Sequence, residues 1–573
     1  MLRNKPSTLS AAGAVLLLSL AGTLRAQSAH APQGGPGILP LTHAPRPTTR
    51  DITAGDLMTR LYIFAADSML GRRTGSAGNV KATDYLAAEA RRIGLEPAGD
   101  EGGYFQRVPL VFVAPDPLGT LAVAGAALTP GRDFVLLPGE PFLPFSSSFA
   151  LPGTPAVYGG IVGDTTRTLR PEQAAGRFVV VSPPIVDGRP SARFMSEPPP
   201  RGYLAGASVL AVAVLDLVPP PMLEDFGRRL ALAGSLQAPG GLPGAVLLGD
   251  AAVERIFGKP LARLELGDTG AVVGGALRWT EQPLPYPARN VVAVLPGRDA
   301  SLAREYVALV AHSDHVGWGA PVLHDSLAAF NRVMNPGGER SGAATPAPEQ
   351  WAHINALKDS LRRLWPERRD SIFNGADDDG SGSVALLEIA ERLAAGPRPK
   401  RSVLFVWHTG EEMGVFGSGW YTEHPTVPRD SIVAALNLDM IGRGDRGPLG
   451  NAGVHGDVAV VGRDRLSREL GQVVDERARQ DHIALDLGFD VPGEPHEPYC
   501  EDDHYNYARF AIPVAYFFTG KHADYHQVTD EPQYIDYPHL ARLTSYIAHV
   551  VVAVADLAHR PLVDGGDSTK SCQ

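Results

Sequence analysis

The sequence predicts an α/β fold in which a mostly parallel sheet is covered by helices on both faces and a β-rich domain is inserted. From about residue 290 onward, apolar segments such as "EYVALVAHSD" and "RSVLFVWHT" alternate with amphipathic segments. Continuous apolar strands separated by helices are typical of parallel sheets that are buried on both faces. Between about 116 and 285, many short apolar segments are separated by Gly and Pro, which predicts a separate β-rich domain.

Length and composition limit the classes of protein to consider. The chain has 573 residues, more than one typical domain needs, and 44% of them are hydrophobic, enough for a sizeable core. The formal net charge is −11 and there is no long basic segment, so we expect no nucleic-acid partner. The two cysteines, Cys500 and Cys572, lack a CxxC spacing, so we expect no thiolate metal site, and whether they pair stays open.

The first residues have the pattern of an export signal. Arg3 and Lys5 precede the apolar segment "AAGAVLLLSLAG" (11–22), which is too short to span a bilayer comfortably. We expect cleavage after Ala26 and therefore a secreted or periplasmic protein, with an uncleaved N-terminal anchor as the alternative. No later segment is long and apolar enough to span a membrane, so we expect no membrane span in the mature chain.

Changes in composition along the chain predict its domain boundaries. Residues 27–50 are rich in Pro, Gly and polar residues, as linkers are. The predicted parts are a signal peptide (1–26), a linker (27–50), the first part of the α/β domain (51–115), the β-rich domain (116–285), the main part of the α/β domain (286–560) with an insertion (316–376), and a tail (561–573).

The elements of the α/β domain can be assigned in order. "DITAGDLMTRLYIFAADS" places Leu57, Leu61 and Phe64 at helical spacing, and "NVKATDYLAAEARRIG" predicts a second helix that ends at Gly94. A strand follows at "YFQRVPLVFV". The later predicted strands are "NVVAVLPG", "EYVALVAHSD", "RSVLFVWHT", "IVAALNLDM" and "IPVAYFFTG", and the later predicted helices are 382–396 and 467–480.

Histidines and carboxylates follow these strands where each one ends. Because the carboxyl ends of parallel strands meet at one edge of a sheet, we expect these side chains to lie close together. They are His312, Asp314 and His315; Asp377, Asp378 and Asp379; Glu411 and Glu412; Asp439; and His522, Asp524 and His526.

The charge of this group requires compensation. One histidine at a strand end is usually a structural hydrogen-bonding group, and a run of aspartates is usually a solvated turn or a helix cap. Five such groups at one sheet edge would crowd negative charge, which bound cations would neutralise. Imidazole and carboxylate ligands without thiolate suit zinc or another first-row divalent metal. Two histidines and three carboxylates would serve a pair of metals that share a bridging carboxylate.

The motifs around these residues resemble those of the co-catalytic bizinc aminopeptidase family, which includes glutamate carboxypeptidase and the transferrin-receptor ectodomain. The resemblance implies a zinc exopeptidase fold, a three-layer α/β domain with peptide substrates. The β-rich region resembles, by position and pattern, a protease-associated domain. The matching motifs are "AHSDHVG" (311–317), "NGADDDGSGS" (374–383), "TGEEMGVFGS" (409–418), "LNLDMIG" (436–442) and "DYHQVTDE" (524–531).

The resemblance implies two Zn²⁺ ions per chain and a role for each motif residue. Asp378 is the implied bridging ligand, with Asp377 as the alternative if the register is read one residue earlier. The implied ligands of one metal are Glu412 and His526 together with Asp378, and those of the other are His312 and Asp439 together with Asp378. The resemblance also implies a cis peptide bond between Asp378 and Asp379.

Two further carboxylates have implied roles beside the metals. Asp314 would accept a hydrogen bond from the second imidazole nitrogen of His312 and so orient the ring. Glu411 would act as the general base, taking a proton from the attacking water and passing it to the leaving amine. The pair Glu411–Glu412 is then adjacent because one carboxylate holds a metal while the other reaches the water.

The remaining predictions for the site concern three histidines. His504, in "CEDDHYNY", occupies a position where family members often have a histidine near the substrate, and a structural hydrogen-bonding role is the alternative. We do not expect His315 or His408 to bind a metal.

The 316–376 segment is longer than the usual connection between the first histidine motif and the bridging aspartate. In its second half, "WAHINALKDSLRRLW" places Trp351, Ile354, Leu357, Leu361 and Leu364 at helical spacing. Both ends of the insertion lie beside predicted metal ligands. We therefore predict that it forms one wall of the cleft and limits substrate length.

Taken together, the sequence predicts an exported dizinc metallo-exopeptidase that acts as an aminopeptidase. One alternative is a carboxypeptidase or dipeptidase on the same scaffold, which would need an Arg or Lys to bind the substrate carboxylate; the sequence identifies none. The other is a non-catalytic binding protein, as the transferrin receptor is. Such a protein would be expected to lack ligands or the base, whereas all of these positions are filled here.

Overall fold

The computed structural model describes most of the chain from residue 39 onward. The predicted signal peptide (1–26) lies outside the described residues, as does Cys572. The described residues are 39–137, 145–164, 166–186, 189–191, 206–218, 227–236, 242–338, 345–444, 455–491 and 498–565.

The chain divides into two compact units. One comprises the residues up to Gln106 and those from Arg289 onward, and the other is Arg107–Ala288. The predicted β-rich domain, 116–285, lies inside the second unit.

A nine-stranded sheet forms the centre of the first unit. In chain order the strands are β1 (Glu96–Pro97), β2 (Phe105–Val108), β3 (Ala288–Leu295), β4 (Tyr306–His312), β5 (Ser402–His408), β6 (Ile432–Leu438), β7 (Val458–Val461), β8 (Leu485–Asp486) and β9 (Val514–Phe518). Their order in the sheet is β1-β3-β5-β4-β6-β9-β7-β8, and β2 pairs with β3.

The middle of this sheet is parallel and its flanks are antiparallel. Strands β5, β4, β6 and β9 run parallel, whereas β3 joins β5 and β7 joins β9 in antiparallel pairs. The predicted α/β fold is thus confirmed. The four parallel strands present their carboxyl ends at a common edge.

Nine helices among the described residues belong to the first unit. The helices are α1 (Ala54–Phe64), α2 (Ala77–Ile93), α3 (His324–Met334), α4 (Pro348–Leu364), α5 (Gly382–Ala395), α6 (Phe416–Glu423), α7 (Arg468–Asp481), α8 (Asp503–Ala508) and α9 (Tyr537–Ala555). The predicted helices at 382–396 and 467–480 correspond to α5 and α7, and the predicted helix in the insertion corresponds to α4.

Alternation along the strands buries both faces of the sheet. Leu309 of β4 belongs to a core cluster with residues of α1, α2, α5, α7 and α9, whereas its neighbour Val310 packs in a second cluster with residues of α6 and α8. Successive side chains of a strand point to opposite faces, so a strand that is covered on both sides must be apolar throughout. This explains the unbroken apolar segments from which the strands were predicted.

The second opening helix ends where the sequence predicts, although it begins two residues before the predicted start. The side chain of Ser76 accepts a hydrogen bond from the backbone of Asn79 at the start of α2, and α2 ends at Gly94, whose φ of 90° is left-handed. A residue without a Cβ adopts this conformation at little cost, so Gly94 stops the helix as expected.

The insertion begins and ends as an antiparallel pair of strands, Gly317–Leu323 with Arg369–Phe373. Helices α3 and α4 lie between these strands. Within the described part of the chain, no helix is both long enough and apolar enough to cross a membrane.

The second unit is built mainly from strands. Ten strands form one sheet, and the helices Pro171–Ala174 and Asp250–Phe257 accompany it; Ile185–Val186 and Arg189–Pro190 form a separate pair. The ten strands are Leu110–Pro115, Thr120–Val123, Ala126–Ala127, Phe134–Leu136, Ser148–Ile161, Phe178–Ser182, Val209–Ala213, Arg229–Leu232, Gly244–Leu248 and Thr269–Pro283.

Candidate metal centre

The ends of three parallel strands carry histidine and carboxylate side chains to one edge of the sheet. His312 is the last residue of β4, and Asp439 directly follows β6. Glu411 and Glu412 follow β5, which ends at His408. Because β4 pairs with both β5 and β6 in parallel, these side chains converge.

Asp378 lies at the centre of the group. One of its carboxylate oxygens, Oδ1, is 3.2 Å from His312 Nε2, and the other, Oδ2, is 3.0 Å from His526 Nε2. Asp378 lies in the six-residue segment Ala376–Ser381, which leads directly into α5. A single carboxylate therefore faces two histidines from different parts of the chain.

On one side of Asp378, His312 and Asp439 complete a group of three potential metal ligands. Asp439 Oδ1 is 3.5 Å from His312 Nε2, and one ligand atom from each of the three residues lies within 4.8 Å of the others. All three residues are buried.

On the other side, four residues form a second group. Glu412 Oε2 is 2.9 Å from His526 Nε2, and Glu412 Oε1 is 2.5 Å from His315 Nδ1. His315, Asp378, Glu412 and His526 each place a ligand atom within 4.8 Å of the others. The sequence analysis did not expect His315 among possible ligands. The available signal was its position in "HSDH", three residues after His312.

The donor atoms of both groups fit zinc. Imidazole nitrogens and carboxylate oxygens are ligands that zinc accepts, and no thiolate is present. Several of these buried atoms lie within 3.0–3.5 Å of one another or of a neighbouring ring nitrogen but make no hydrogen bond of acceptable geometry among the described residues: His312 Nε2, Asp378 Oδ2 and Asp439 Oδ1. Buried polar atoms are normally satisfied, so these point to a bound cation as the missing partner.

The aspartates on either side of Asp378 support the site without joining either group. Asp377 accepts a hydrogen bond from the backbone of Gly442 at 2.6 Å and lies 3.1 Å from His522. Asp379 accepts from the backbone of His312 at 3.1 Å. Asp378, and not the alternative Asp377, is therefore the residue common to both groups. The peptide bond between Asp378 and Asp379 is cis, as predicted.

Asp314 contacts His312 through its backbone. The carbonyl oxygen of Asp314 lies 3.2 Å from His312 Nδ1, whereas the nearest carboxylate oxygen is 3.9 Å away. The carboxylate instead accepts hydrogen bonds from Thr74 Oγ1 at 2.9 Å and from the backbone N–H of Glu411 at 3.2 Å. Its side chain thus orients Glu411, a role that the sequence analysis did not assign.

Glu411 and Glu412 are adjacent in the chain but differ in their surroundings. Burial raises the pKa of Glu411 well above its usual value, and the carboxylates of Asp502 and Glu412 add to the effect. Burial and Asp378 also act to raise the pKa of Glu412, but His315 and His526 outweigh them and lower it to about 2. Only Glu412 belongs to a ligand group; Glu411 Oε2 is 3.9 Å from His312 Nε2.

A cavity of about 350 Å³ opens beside the two groups. Asp378, Glu411, Asp439 and His526 line it, so both groups and the predicted base face the same space. The remaining lining residues among the described part of the chain are Gly337, Met440, Phe489, Pro498, Glu501, Asp502, Tyr516, Phe518, Lys521 and Tyr525.

His504 and His408 lie away from this cavity. His504 is fully buried, its ring stacks on Tyr516 with centroids 4.7 Å apart, and burial lowers its pKa to about 4. The cavity-lining residues of this segment are Glu501 and Asp502 instead. The structure therefore does not place His504 against a substrate and favours the structural alternative. His408 lies 3.1 Å from the Tyr507 hydroxyl and belongs to neither ligand group.

The segment that carries His526 is held by ion pairs. Asp524 lies 3.3 Å from Arg332 of α3 and 3.2 Å from Arg443, and it accepts a hydrogen bond from Thr529 at 2.7 Å. Burial acts to raise the pKa of Asp524, but the two arginines outweigh it and lower the pKa to about 2. The insertion thus contributes the Arg332 cation that contacts Asp524, and Asp524 lies two residues before the proposed ligand His526.

A further cluster joins the insertion to the same segment. His324 of α3 lies 2.7 Å from Glu531, and the ring of His324 stacks on Tyr534. Arg368 pairs with Glu531 and, at 2.7 Å, with Asp370. The Arg368 guanidinium contacts both carboxylates of this cluster, so an ion-pair network compensates part of their charge without a metal.

Comparison with known sequences gives one family. Residues 290–551 match the sequence model described as Peptidase family M28. Leupeptin-inactivating enzyme 1 of Streptomyces exfoliatus is 31% identical over 169 residues, 29% of this chain and 33% of that protein. Leucine aminopeptidase 1 of Ajellomyces dermatitidis (strain ER-3 / ATCC MYA-2586) is 29% identical over 253 residues, 40% of this chain and 61% of that protein. The chain thus spans less than two thirds of the length of these relatives.

Solved structures are similar over most of the chain. An aminopeptidase from Aneurinibacillus sp. strain AM-1 aligns with 90% of this chain and 97% of its own, with 14% identity and a TM-score of 0.46. A zinc aminopeptidase from Bacillus subtilis aligns with 88% of this chain and 95% of its own, with 15% identity and a TM-score of 0.45.

Proposed function

Residues 290–551 of this chain belong to peptidase family M28, and from that premise we propose that the protein is a zinc-dependent aminopeptidase with two metal ions per chain. It releases N-terminal residues from peptides. The observation that carries the proposal is the position of Asp378 between two groups of potential ligands, with Glu411 facing the same cavity.

Each residue of the centre has a distinct proposed role. Zinc, when bound, polarises the scissile carbonyl and makes water more acidic. His312 and Asp439 would hold one ion, Glu412 and His526 would hold the other, and Asp378 would be a ligand of both. Glu411 binds neither ion. It accepts a proton from the attacking water and donates that proton to the leaving amine.

The surroundings of the two glutamates support this division. His315 Nδ1 and His526 Nε2 lie 2.5 and 2.9 Å from the Glu412 carboxylate, inside a ligand group, whereas Glu411 belongs to neither group and lines the cavity. Asp314 binds the backbone of Glu411 and so helps keep its carboxylate over the cavity.

Two proposals concern the rest of the chain. The first is that residues 1–26 direct export, so that the enzyme acts outside the cytoplasm on peptides. The second is that the Arg107–Ala288 unit is a protease-associated domain inserted into the catalytic domain.

Metal content and turnover together test the proposal. The purified chain is expected to hold two zinc ions and to hydrolyse leucine p-nitroanilide but not N-acetyl-leucine p-nitroanilide. Hydrolysis of N-blocked peptides instead would favour a carboxypeptidase. A chain that binds no zinc and hydrolyses neither substrate would be a binding protein, and the proposal would be wrong.

A specific observation favours a dipeptidase as the second candidate. Such an enzyme needs a cation near the scissile bond for the substrate carboxylate, and Lys521 lines the cavity.

A further inference from the structure

The lining of the cavity beside the candidate metal centre contains both apolar and charged residues. Among the apolar ones, Met440 directly follows Asp439, Phe518 belongs to β9, and Phe489 packs edge-on against Phe518. Lys521 and Tyr525 lie on the segment that carries His526. An apolar surface therefore adjoins Asp439, and a cation adjoins His526.

Lys521 supplies a positive charge at the cavity, and no acidic side chain among the described residues forms an ion pair with it. Its ammonium nitrogen lies 5.2 Å from the centre of the Tyr525 ring, and that ring stacks on His526 with centroids 3.8 Å apart. No ion pair joins Lys521 to an acidic side chain within the described ranges. Lys521 is exposed, and it is the one lysine or arginine among the described residues that line the cavity.

The acidic lining residues complete the pattern. Glu501 and Asp502 lie on the segment before α8, and with Glu411 they surround part of the cavity with negative charge. A substrate with an ammonium group at one end and a carboxylate at the other matches this distribution. Opposite charges placed in this way determine the orientation and the choice of ligand more than the overall affinity.

We propose that Lys521 binds the C-terminal carboxylate of short substrates, so that the enzyme prefers dipeptides with a free carboxylate over longer or amidated peptides. This inference rests on the proposed function, since it concerns the residue after the scissile bond. In this arrangement the N-terminal residue contacts the apolar lining residues, and the carboxylate of the second residue reaches Lys521.

Paired substrates that differ only in the terminal group test the inference. Zinc-loaded enzyme is assayed with Leu-Ala and with Leu-Ala-amide, and KM and kcat are determined separately. An ion pair at an accessible site is expected to lower KM for Leu-Ala by about three- to tenfold relative to the amide. The ratio should decrease towards one as the salt concentration increases.

Variants separate the role of the charge from that of the fold. Lys521→Gln should bring the KM ratio to about one, and Lys521→Arg should retain most of the preference. Lys358→Gln removes the same charge from a half-buried position on α4 that does not line the cavity and should retain the full ratio. Calorimetric titration of Leu-Ala into Glu411→Gln, with and without Lys521→Gln, measures the same difference without turnover.

The outcomes distinguish the two proposals. Equal KM values for Leu-Ala and its amide in the wild type, or a preference that survives Lys521→Gln, would overturn the role of Lys521 while hydrolysis itself continued. Absence of hydrolysis for every peptide with a free N-terminus would overturn the proposed function instead. Equal cleavage of N-acetyl-Leu-Ala would retain the carboxylate contact and identify a carboxypeptidase.

Discussion

The two halves of the metal centre are built in different ways. In the strand half, His312 and Asp439 are at the ends of neighbouring parallel strands, and the His312 side chain is only 1% exposed. In the loop half, Glu412 and His526 come from segments outside the sheet, and the His526 side chain is 35% exposed. His526 also has a positive φ of 53°.

This difference shows how each half keeps its geometry. The sheet register places the residues of the strand half, and the backbone of His312 is further fixed by Asp379. The loop half depends on charged contacts between distant parts of the chain, above all Arg332 and Arg443 with Asp524. We therefore expect the loop half to lose its metal first when the protein is perturbed.

The largest effect is expected at Glu411, the proposed general base, which belongs to neither ligand group. Glu411→Ala and the closer mimic Glu411→Gln should retain two zinc ions and reduce kcat about 10²–10⁴-fold, because the general base is lost. Metal analysis and steady-state kinetics check this. Loss of one zinc, or near-normal turnover, would show that Glu411 is not the base.

An intermediate effect is expected when Arg332 is replaced, because zinc binding should weaken in the loop half and not in the strand half. Arg332→Met removes a cation that lies 3.3 Å from Asp524, so the loop half should lose about 10- to 100-fold in zinc affinity. The strand half should retain its metal. Titration against a chelator would measure the two affinities separately.

The matched control for Arg332 is Arg363→Met, an exposed arginine of α4. It should leave both zinc affinities unchanged. If Arg332→Met weakened both sites equally, or neither, then the insertion would not support the loop half specifically.

The smallest effect is expected at Glu531, and it depends on pH. Burial acts to raise the pKa of Glu531, but His324 and Arg368 outweigh it and lower the pKa below its usual value. A lowered folded-state pKa means that the ionised side chain stabilises the fold above pH of about 4.5 and that this stabilisation is lost as pH falls through the folded-state value. Glu531→Gln should cost about 1.5 kcal/mol near pH 7.

Urea unfolding at several pH values measures this contribution. The difference between wild type and Glu531→Gln should shrink as the solution becomes acidic, below about pH 4.5. A difference that is constant from pH 7 to pH 3 would show that the charge of Glu531 does not contribute. Glu281→Gln, in the second unit, is a control for the loss of one carboxylate elsewhere.

The structure changes the expectation for the insertion. From the sequence, we expected 316–376 to form one wall of the cleft and to limit substrate length. Within the described residues, Gly337 is its one contribution to the cavity, whereas Arg332, His324 and Arg368 contact the segment that carries His526. We therefore expect replacement of 320–372 to weaken zinc binding in the loop half, so point variants are the better test of substrate length.

The sequence by itself determined the sheet and the residues at its edge. Unbroken apolar segments predicted β4, β5, β6 and β9, because strands that are buried on both faces must be apolar along their whole length. Parallel strands deliver their following residues to a common edge, so His312 and Asp439 could be placed together without coordinates. The register around Asp378 came from the motif resemblance.

Only the tertiary structure decided the contacts that join distant segments. The position of His315 beside Glu412, the hydrogen bond from Glu411 to Asp314 and the pairing of Arg332 with Asp524 connect residues that are 97, 97 and 192 positions apart in ways that no local pattern encodes. Local sequence specifies which side chains follow a strand. The direction that each of them takes depends on packing and charge from elements elsewhere in the chain, and these meet only when the chain has folded.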